Sequence, residues 1–208
     1  MGRKNRLRAW LDELNVLKEK RQMVRFVRKR KRRLEKVEGF IGSVSEKFVF
    51  IHVLEPSIHL DGYTVIPIRD IKYFKLKDEY NSFAQRALAL RGHEPTFRTD
   101  IDLTSFPNLL TSANKAFPLI TIHIERIDPD ICFIGRIEKL RRKSVTLRKV
   151  DPAAEWIGTR DFDFKDITRV DFGGGYEGAL WIVASCEDEK RRKAAIKAQE
   201  DKAGNRSG

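Results

Sequence analysis

The sequence predicts a mainly β protein with added helices: two small β-barrels in tandem, a basic N-terminal helix and a helical connector. Three observations lead there. The stretch 48–80 recurs 96 residues later at 144–176, where Val49, Pro56, Gly62, Asp70, Ile71 and Tyr80 meet Val145, Pro152, Gly158, Asp166, Ile167 and Tyr176. The coinciding Pro, Gly and Asp fall at expected turns, where backbone chemistry restricts choice. Short β-branched and aromatic runs alternate with turn signals through both copies. Positive charge is concentrated at the start: residues 1–36 hold 15 Lys or Arg against 4 acids, and residues 187–208 hold 7 against 5. With a net charge of +12 for the whole chain, the body between is close to neutral.

In chain order, residues 1–37 form the basic arm. Leu7, Trp10, Leu11, Leu14 and Leu17 recur at helical spacing and give one apolar face. Arg21 and Arg25 follow, then the run Arg28, Lys29, Arg30, Lys31, Arg32 and Arg33. Consecutive cations repel one another and are stabilised by a polyanion that neutralises them, with counterion release as the driving force. The first barrel, with its closing helix, is expected over 38–91, with strands at Phe40–Val44, Phe48–Val53, Tyr63–Ile68 and Lys72–Lys77. Tyr80, Phe83, Ala84, Ala87 and Leu88 then make an amphipathic helix capped by Asp78 and ended by Gly92.

Residues 92–117 read as a connector with a short helix from about Ser105 to Ala116, and 118–186 as the second barrel. Ile120, Ile122 and Ile124 alternate with Thr121, His123 and Glu125, the pattern of a half-buried strand. The segment Phe40-Ile41-Gly42 matches Phe133-Ile134-Gly135 at an offset of 93, which implies a hairpin longer by three residues in the second copy. That hairpin carries Lys139, Arg141, Arg142 and Lys143. Ala179 to Ser185 is expected to be a final apolar strand, and 187–208 a charged tail.

Chemistry-bearing constellations are thin. His52, His59, His93 and His123 stand at no metal-ligand spacing, and neither do Cys132 and Cys186, so no metal or cofactor is expected. Asp171-Phe172-Gly173 copies a kinase tripeptide without the glycine loop or catalytic loop that would give it meaning. Asp70 and Asp166 read as turn residues, each serving its own copy, rather than as a catalytic pair. No apolar segment follows the basic start, so a cytoplasmic protein is expected, and a membrane surface is the least favoured partner.

The basic helix, the strand with apolar-Gly-x-apolar, the glycine-marked return and the ending apolar-basic-Asp-Ile together resemble the Sm-like small β-barrel over 38–77 and 131–172. An SH3-like or PRC-type barrel fits the strand count nearly as well. The ending Asp166-Ile167-Thr168-Arg169-Val170-Asp171-Phe172-Gly173-Gly174-Gly175-Tyr176 also resembles bacterial proteins without an assigned role. Sm-like proteins form RNA-binding rings in which an Arg-Gly pair near the last turn helps hold a nucleotide. The resemblance therefore implies that Arg69 and Lys165 contact nucleic acid, with Asp70 and Asp166 standing where that family has glycine.

Three function classes follow. The first is non-catalytic nucleic-acid binding, RNA preferred, through the arm and the second hairpin, with Tyr63, Phe50 or Trp156 as stacking faces and Phe50 the most exposed of them. The second is a scaffold whose barrels pair edge to edge in a homo-oligomer or with a protein partner. The third, an enzyme, lacks any residue constellation to carry it.

Overall fold

The computed structural model describes residues 3–30, 33–76 and 78–204. Helix α1 (Arg3–Glu19) leads into five strands, β1 (Met23–Arg30), β2 (Arg33–Val44), β3 (Phe48–Leu54), β4 (Leu60–Pro67) and β5 (Ile71–Lys75), with a 3-10 turn at Ile68–Asp70 before β5. Helix α2 (Asp78–Leu90) closes the first half. Helix α3 (Phe106–Ala116) opens the second, followed by β6 (Ile120–His123), β7 (Cys132–Leu140), β8 (Ser144–Val150), β9 (Trp156–Asp163), β10 (Arg169–Phe172) and helix α4 (Gly175–Gly204). The ten strands form one antiparallel sheet in the order β5-β1-β2-β3-β4-β10-β6-β7-β8-β9. The sheet is not closed: β5 and β9 are its two ends.

The strand order of the first half reappears, shifted by five, in the second. Pairing registers recur 96 residues on: Val24↔Gly39 becomes Ile120↔Gly135, Gly39↔Val53 becomes Gly135↔Lys149, Phe48↔Pro67 becomes Ser144↔Asp163, and Phe26↔Phe74 becomes Ile122↔Val170. The bulges follow the same rule, between Ile41/Ser43 and Ile137/Lys139 and between His52/Leu54 and Arg148/Val150. Ile58 and Ala154, also 96 apart, both adopt a left-handed backbone, with φ of 60° and 63°.

The offset of 93, and with it the longer second hairpin, is therefore corrected. The two hairpins have equal length, closed by Ser45 N–H to Phe48 O at 2.8 Å and Arg141 N–H to Ser144 O at 2.9 Å. The glycine that corresponds to Gly135 is Gly39, not Gly42. A Cβ on Gly39 would sit 2.1 Å from the His52 carbonyl oxygen, and one on Gly135 2.1 Å from that of Arg148, so the strand crossing excludes any side chain at either position.

Two further expectations give way. Residues 23–30 are not helical: β1 lies between β5 and β2, and Met23, Val24, Phe26 and Val27 are buried. Their β-branched and aromatic side chains suit a strand covered on both faces. Ala179–Ser185 is not a strand but part of α4, where Leu180 and Ala184 are buried while Ile182 and Val183 face solvent. A seven-residue apolar run does not distinguish the two structures; the i, i+4 burial does.

Helix packing follows the repeat as well. Leu14 and Leu17 of α1 pack on the first half's core with Val24, Phe26 and Ile51. Leu110 and Ala113 of α3, 96 residues later, pack on the core shared by Phe50, Ile122, Leu147 and Phe172. Ala84 and Leu88 of α2 cover Met23, Leu54 and Ile58; Leu180 and Ala184 of α4 cover Leu119, Val150 and Ala154. No helix among the described residues is long and apolar enough to cross a membrane.

Candidate nucleic-acid interface

The cations singled out in the sequence go to three places. The first is the interior. Arg28 is 3% exposed; its guanidinium donates to Glu35 at 2.7 Å, to both oxygens of Glu125 and to the Thr168 carbonyl at 2.8 Å. Arg25 is paired with Glu38 directly across the β1–β2 ladder. These two are corrections to the arm reading, because their side chains are withdrawn from the surface and held there by carboxylates, out of reach of a phosphate. Arg21 stays exposed, 3.8 Å from Glu94. Lys31 and Arg32 lie outside the described residues, as do the side chains of Lys29, Arg30 and Arg33.

The second place is the end of the molecule where the matching turns of the two halves meet. In the first half the β2–β3 turn and the 3-10 turn are clasped by Ile68 N–H donating to Lys47 O at 2.8 Å. In the second the β7–β8 turn and residues 164–166 are clasped in the same way, by Phe164 N–H to Lys143 O at 2.9 Å. Arg69 joins the pairs: its Nη2 donates to the carbonyls of Phe164 at 3.2 Å, Lys165 at 3.0 Å and Ile167 at 3.2 Å. Arg126 reinforces the join, donating to Lys165 O at 2.6 Å and pairing with Asp70. Asp70 thus reaches across the two halves instead of serving only its own turn.

Between these turns, α1 and α3 lies a cavity of about 610 Å³, lined among others by Arg6, Trp10, Lys47, Arg69, Phe106 and Phe164. Its aromatic wall is ordered: Phe106 stacks on Phe164 with centroids 5.5 Å apart and meets Phe48 edge-on at 4.8 Å. The Arg69 guanidinium lies 5.9 Å above the Phe106 ring and the Arg6 guanidinium 5.1 Å above Trp10. Ser105 caps α3 by accepting from Asn108 N–H, with Pro107 in the first turn, which fixes Phe106 at the cavity's edge.

The third place is the β7–β8 hairpin beside that cavity. Lys139, Arg141, Arg142 and Lys143 are all exposed, and Lys165, 75% exposed, continues the surface through the Phe164 clasp. Arg141 is partly committed, donating to Thr146 at 2.7 Å and lying 3.3 Å from Asp161, whose carboxyl the Thr146 hydroxyl holds below the usual range. Lys165 has Asp163 at 3.4 Å. Of the stacking candidates, Phe50 is wholly buried, its ring 6.0 Å from Phe172, because β3 is covered on both faces; this corrects its reading as the exposed one. Trp156 is half-buried beneath Arg148, and Tyr63 leans on Phe50 and His52.

The sequence reading missed Lys47, Arg126, Trp10, Phe106 and Arg6. The 96-residue spacing pairs Lys47 with Lys143, and that signal was available. No family model matches the chain, and neither does any curated protein or solved structure.

Proposed function

We propose that the protein is a cytoplasmic, non-catalytic nucleic-acid-binding protein, with RNA the preferred ligand, built from two tandem Sm-like units. The duplicated registers and a leading helix before each set of five strands support the tandem reading. One observation carries the function. The same turn pair in each half presents a cation, Lys47 with Arg69 and Lys143 with Lys165, and Arg69 holds the two pairs side by side on one face. Phosphates would follow the row of cations while a base enters the cavity walled by Trp10 and Phe106. The basic stretch contributes α1 as a wall; its Arg25 and Arg28 hold the fold.

The test is fluorescence anisotropy with a labelled single-stranded RNA. Arg142→Glu/Lys143→Glu reverses two exposed charges and is expected to lower affinity by tenfold or more, at roughly 1 kcal/mol per reversed contact. Unchanged affinity in a folded double variant would refute the reading.

A scaffold that binds a protein partner is the second reading, favoured by the exposed Phe83, Leu90, Ile182 and Val183 on α2 and α4. Edge-to-edge stacking of copies is less well supported. In the internal junction Val65 faces Val170 and Thr64 faces Asp171. The same register between copies would set Asp161 against Phe74 and Arg160 against Lys75, a like-charge pair.

A further inference from the structure

The two halves differ in what covers the same face of the sheet. In the first half Phe40 pairs with His52 and Ser43 with Phe50 across β2–β3, and His52 pairs in turn with Tyr63. Residues 96 and 97 roof this group: Thr96 N–H donates to His52 Nδ1 at 3.3 Å, the Tyr63 hydroxyl donates to the Thr96 carbonyl at 3.3 Å, and the Phe97 ring meets His52 edge-on. The chain reaches that position because Gly92, with φ of 70°, follows the end of α2 and lets it turn back. The residue 96 places on is Asp188, which lies inside α4. There the chain runs on as helix to Gly204, and the second half's face keeps no such roof.

The positions of the roofed group carry cations on the open face. Phe40, Ser43 and His52 are matched by Arg136, Lys139 and Arg148, and Phe50 by Thr146. Arg136 stands directly opposite Arg148, and the register shift between Ile137 and Lys139 returns Lys139 to the same face, opposite Thr146. The Arg148 guanidinium lies 4.4 Å from the centre of the Trp156 ring, 43% exposed, with Asp188 at 3.8 Å. Arg136 and Lys139 are exposed and make no hydrogen bond or ion pair among the described residues. Like charges directly opposite across a ladder are destabilising, and an anion held between two guanidiniums removes that cost.

We propose that a single-stranded RNA bound where the two turn pairs meet continues down the outer face of the β7–β8 hairpin, from Arg142 and Lys143 past Lys139 to the Arg136/Arg148 pair. The track rests on the turn-face reading and extends it by the six residues from Arg142 to Arg136, roughly 20 Å of strand. The face's carboxylates leave it open to phosphate. Asp161 accepts from the Thr146 hydroxyl at 2.6 Å with Arg141 3.3 Å away, and Asp163 lies 3.4 Å from Lys165. Glu138 occupies the bulge and has no residue opposite it. Trp156 holds Arg148 in place through its ring, so less side-chain freedom is lost when a phosphate arrives.

The probes are labelled single-stranded RNAs of about 4 and about 12 nucleotides, which bracket the usual footprint of a small β-barrel on a single strand. In fluorescence anisotropy with the full chain, the longer RNA is expected to show a salt slope steeper by about 1.4, two phosphates at about 0.7 each. Arg136→Glu/Arg148→Glu is expected to remove that difference and to lower affinity for the longer RNA by about tenfold or more, with the shorter RNA held within about twofold. Arg142→Glu/Lys143→Glu is expected to weaken both, which reads the two faces separately. Because Arg148 packs on Trp156, Arg136→Glu alone is the variant that spares the fold, and it is expected to cost the longer RNA about threefold. The track is overturned if the folded double variant binds the longer RNA as the unaltered chain does, or if both RNAs lose equally. Polyglutamate held as tightly as the longer RNA, and released by the same double variant, would assign the face to an acidic protein segment and overturn it too. If neither RNA binds the unaltered chain, the turn-face reading itself fails and the track with it.

Discussion

Replacing Arg28 by Met separates a structural arginine from an RNA-binding one. The guanidinium is the hub of a buried network: Glu125, with a side chain 5% exposed, receives two of its N–H groups, Glu35 and the Thr168 carbonyl receive one each, and Nε–H is buried without an acceptor. Burial alone would lift the Glu125 carboxyl, but Arg28 and the Thr168 hydroxyl bring it below its usual range. Arg28→Met leaves that carboxylate buried without its partner, a change that costs about 3–5 kcal/mol. Glu35 keeps Arg169 at 3.0 Å, which confines the loss to the Glu125 site. For a chain of 208 residues, with an unfolding entropy of about 2.1 cal/mol/K per residue, the melting temperature falls by about 7–11 °C. Removing both partners, as Arg28→Met/Glu125→Leu, is expected to recover most of that loss, since an apolar pair needs no compensation. Calorimetry and urea titration of both variants are the assay. A single variant that loses under ~1 kcal/mol, or a double variant no better than the single, would refute the reasoning.

Other consequences follow from particular sites. Gly135→Ala and Gly39→Ala each place a Cβ 2.1 Å from a carbonyl oxygen, and each is expected to cost about 3 kcal/mol in denaturant titration because backbone must move. A shift under ~0.5 kcal/mol at either would contradict the shared crossing geometry. Burial would raise the Asp171 carboxyl, but the Arg169 charge, His123 and the Thr64 hydroxyl overcome this and hold it far below the usual carboxylate range. A carboxyl depressed in the folded state stabilises above its unfolded pKa, so this contribution is full above about pH 5 and is lost as pH falls through the acid range. Asp171→Asn should flatten that acid limb of the stability profile, and an acid limb as steep as before would count against the network. Exchange of Arg142 for Lys keeps the charge and is expected to change RNA affinity by less than about threefold if the contact is to a single phosphate; a larger loss points to bidentate recognition.

Much of the fold was legible because turns and crossings restrict residue choice. Gly62 and Gly158, 96 apart, both need a left-handed backbone, and Gly62 also receives the backbone of Gly174 at 2.6 Å from its would-be Cβ. The reading failed where an apolar run was judged without its partner. Carried past Tyr80 and Tyr176, the same spacing matches Ala84 with Leu180 and Leu88 with Ala184, which are the buried positions of α2 and α4. The strand at 23–30 was hidden by charge: Arg25 and Arg28 look like solvated cations until the sheet brings Glu38 and Glu125 to them, and the latter lies 97 residues away. The polar network at the junction had no local signature, since His123, Asp171 and Thr64 converge only when β10 pairs with both β4 and β6. By contrast Arg69 and Lys165, which the Sm-like resemblance singles out, and Lys143, which the hairpin's charge singles out, do come together.

The claim that two matching turn pairs form one polyanion-binding face is tested most directly by the salt dependence of single-stranded RNA binding. With about four phosphates neutralised, the logarithm of the binding constant should fall against the logarithm of salt with a slope of about −3, reduced by roughly 1.4 in Lys143→Glu/Lys165→Glu. A slope near zero, or one that the double variant leaves unchanged, would contradict it.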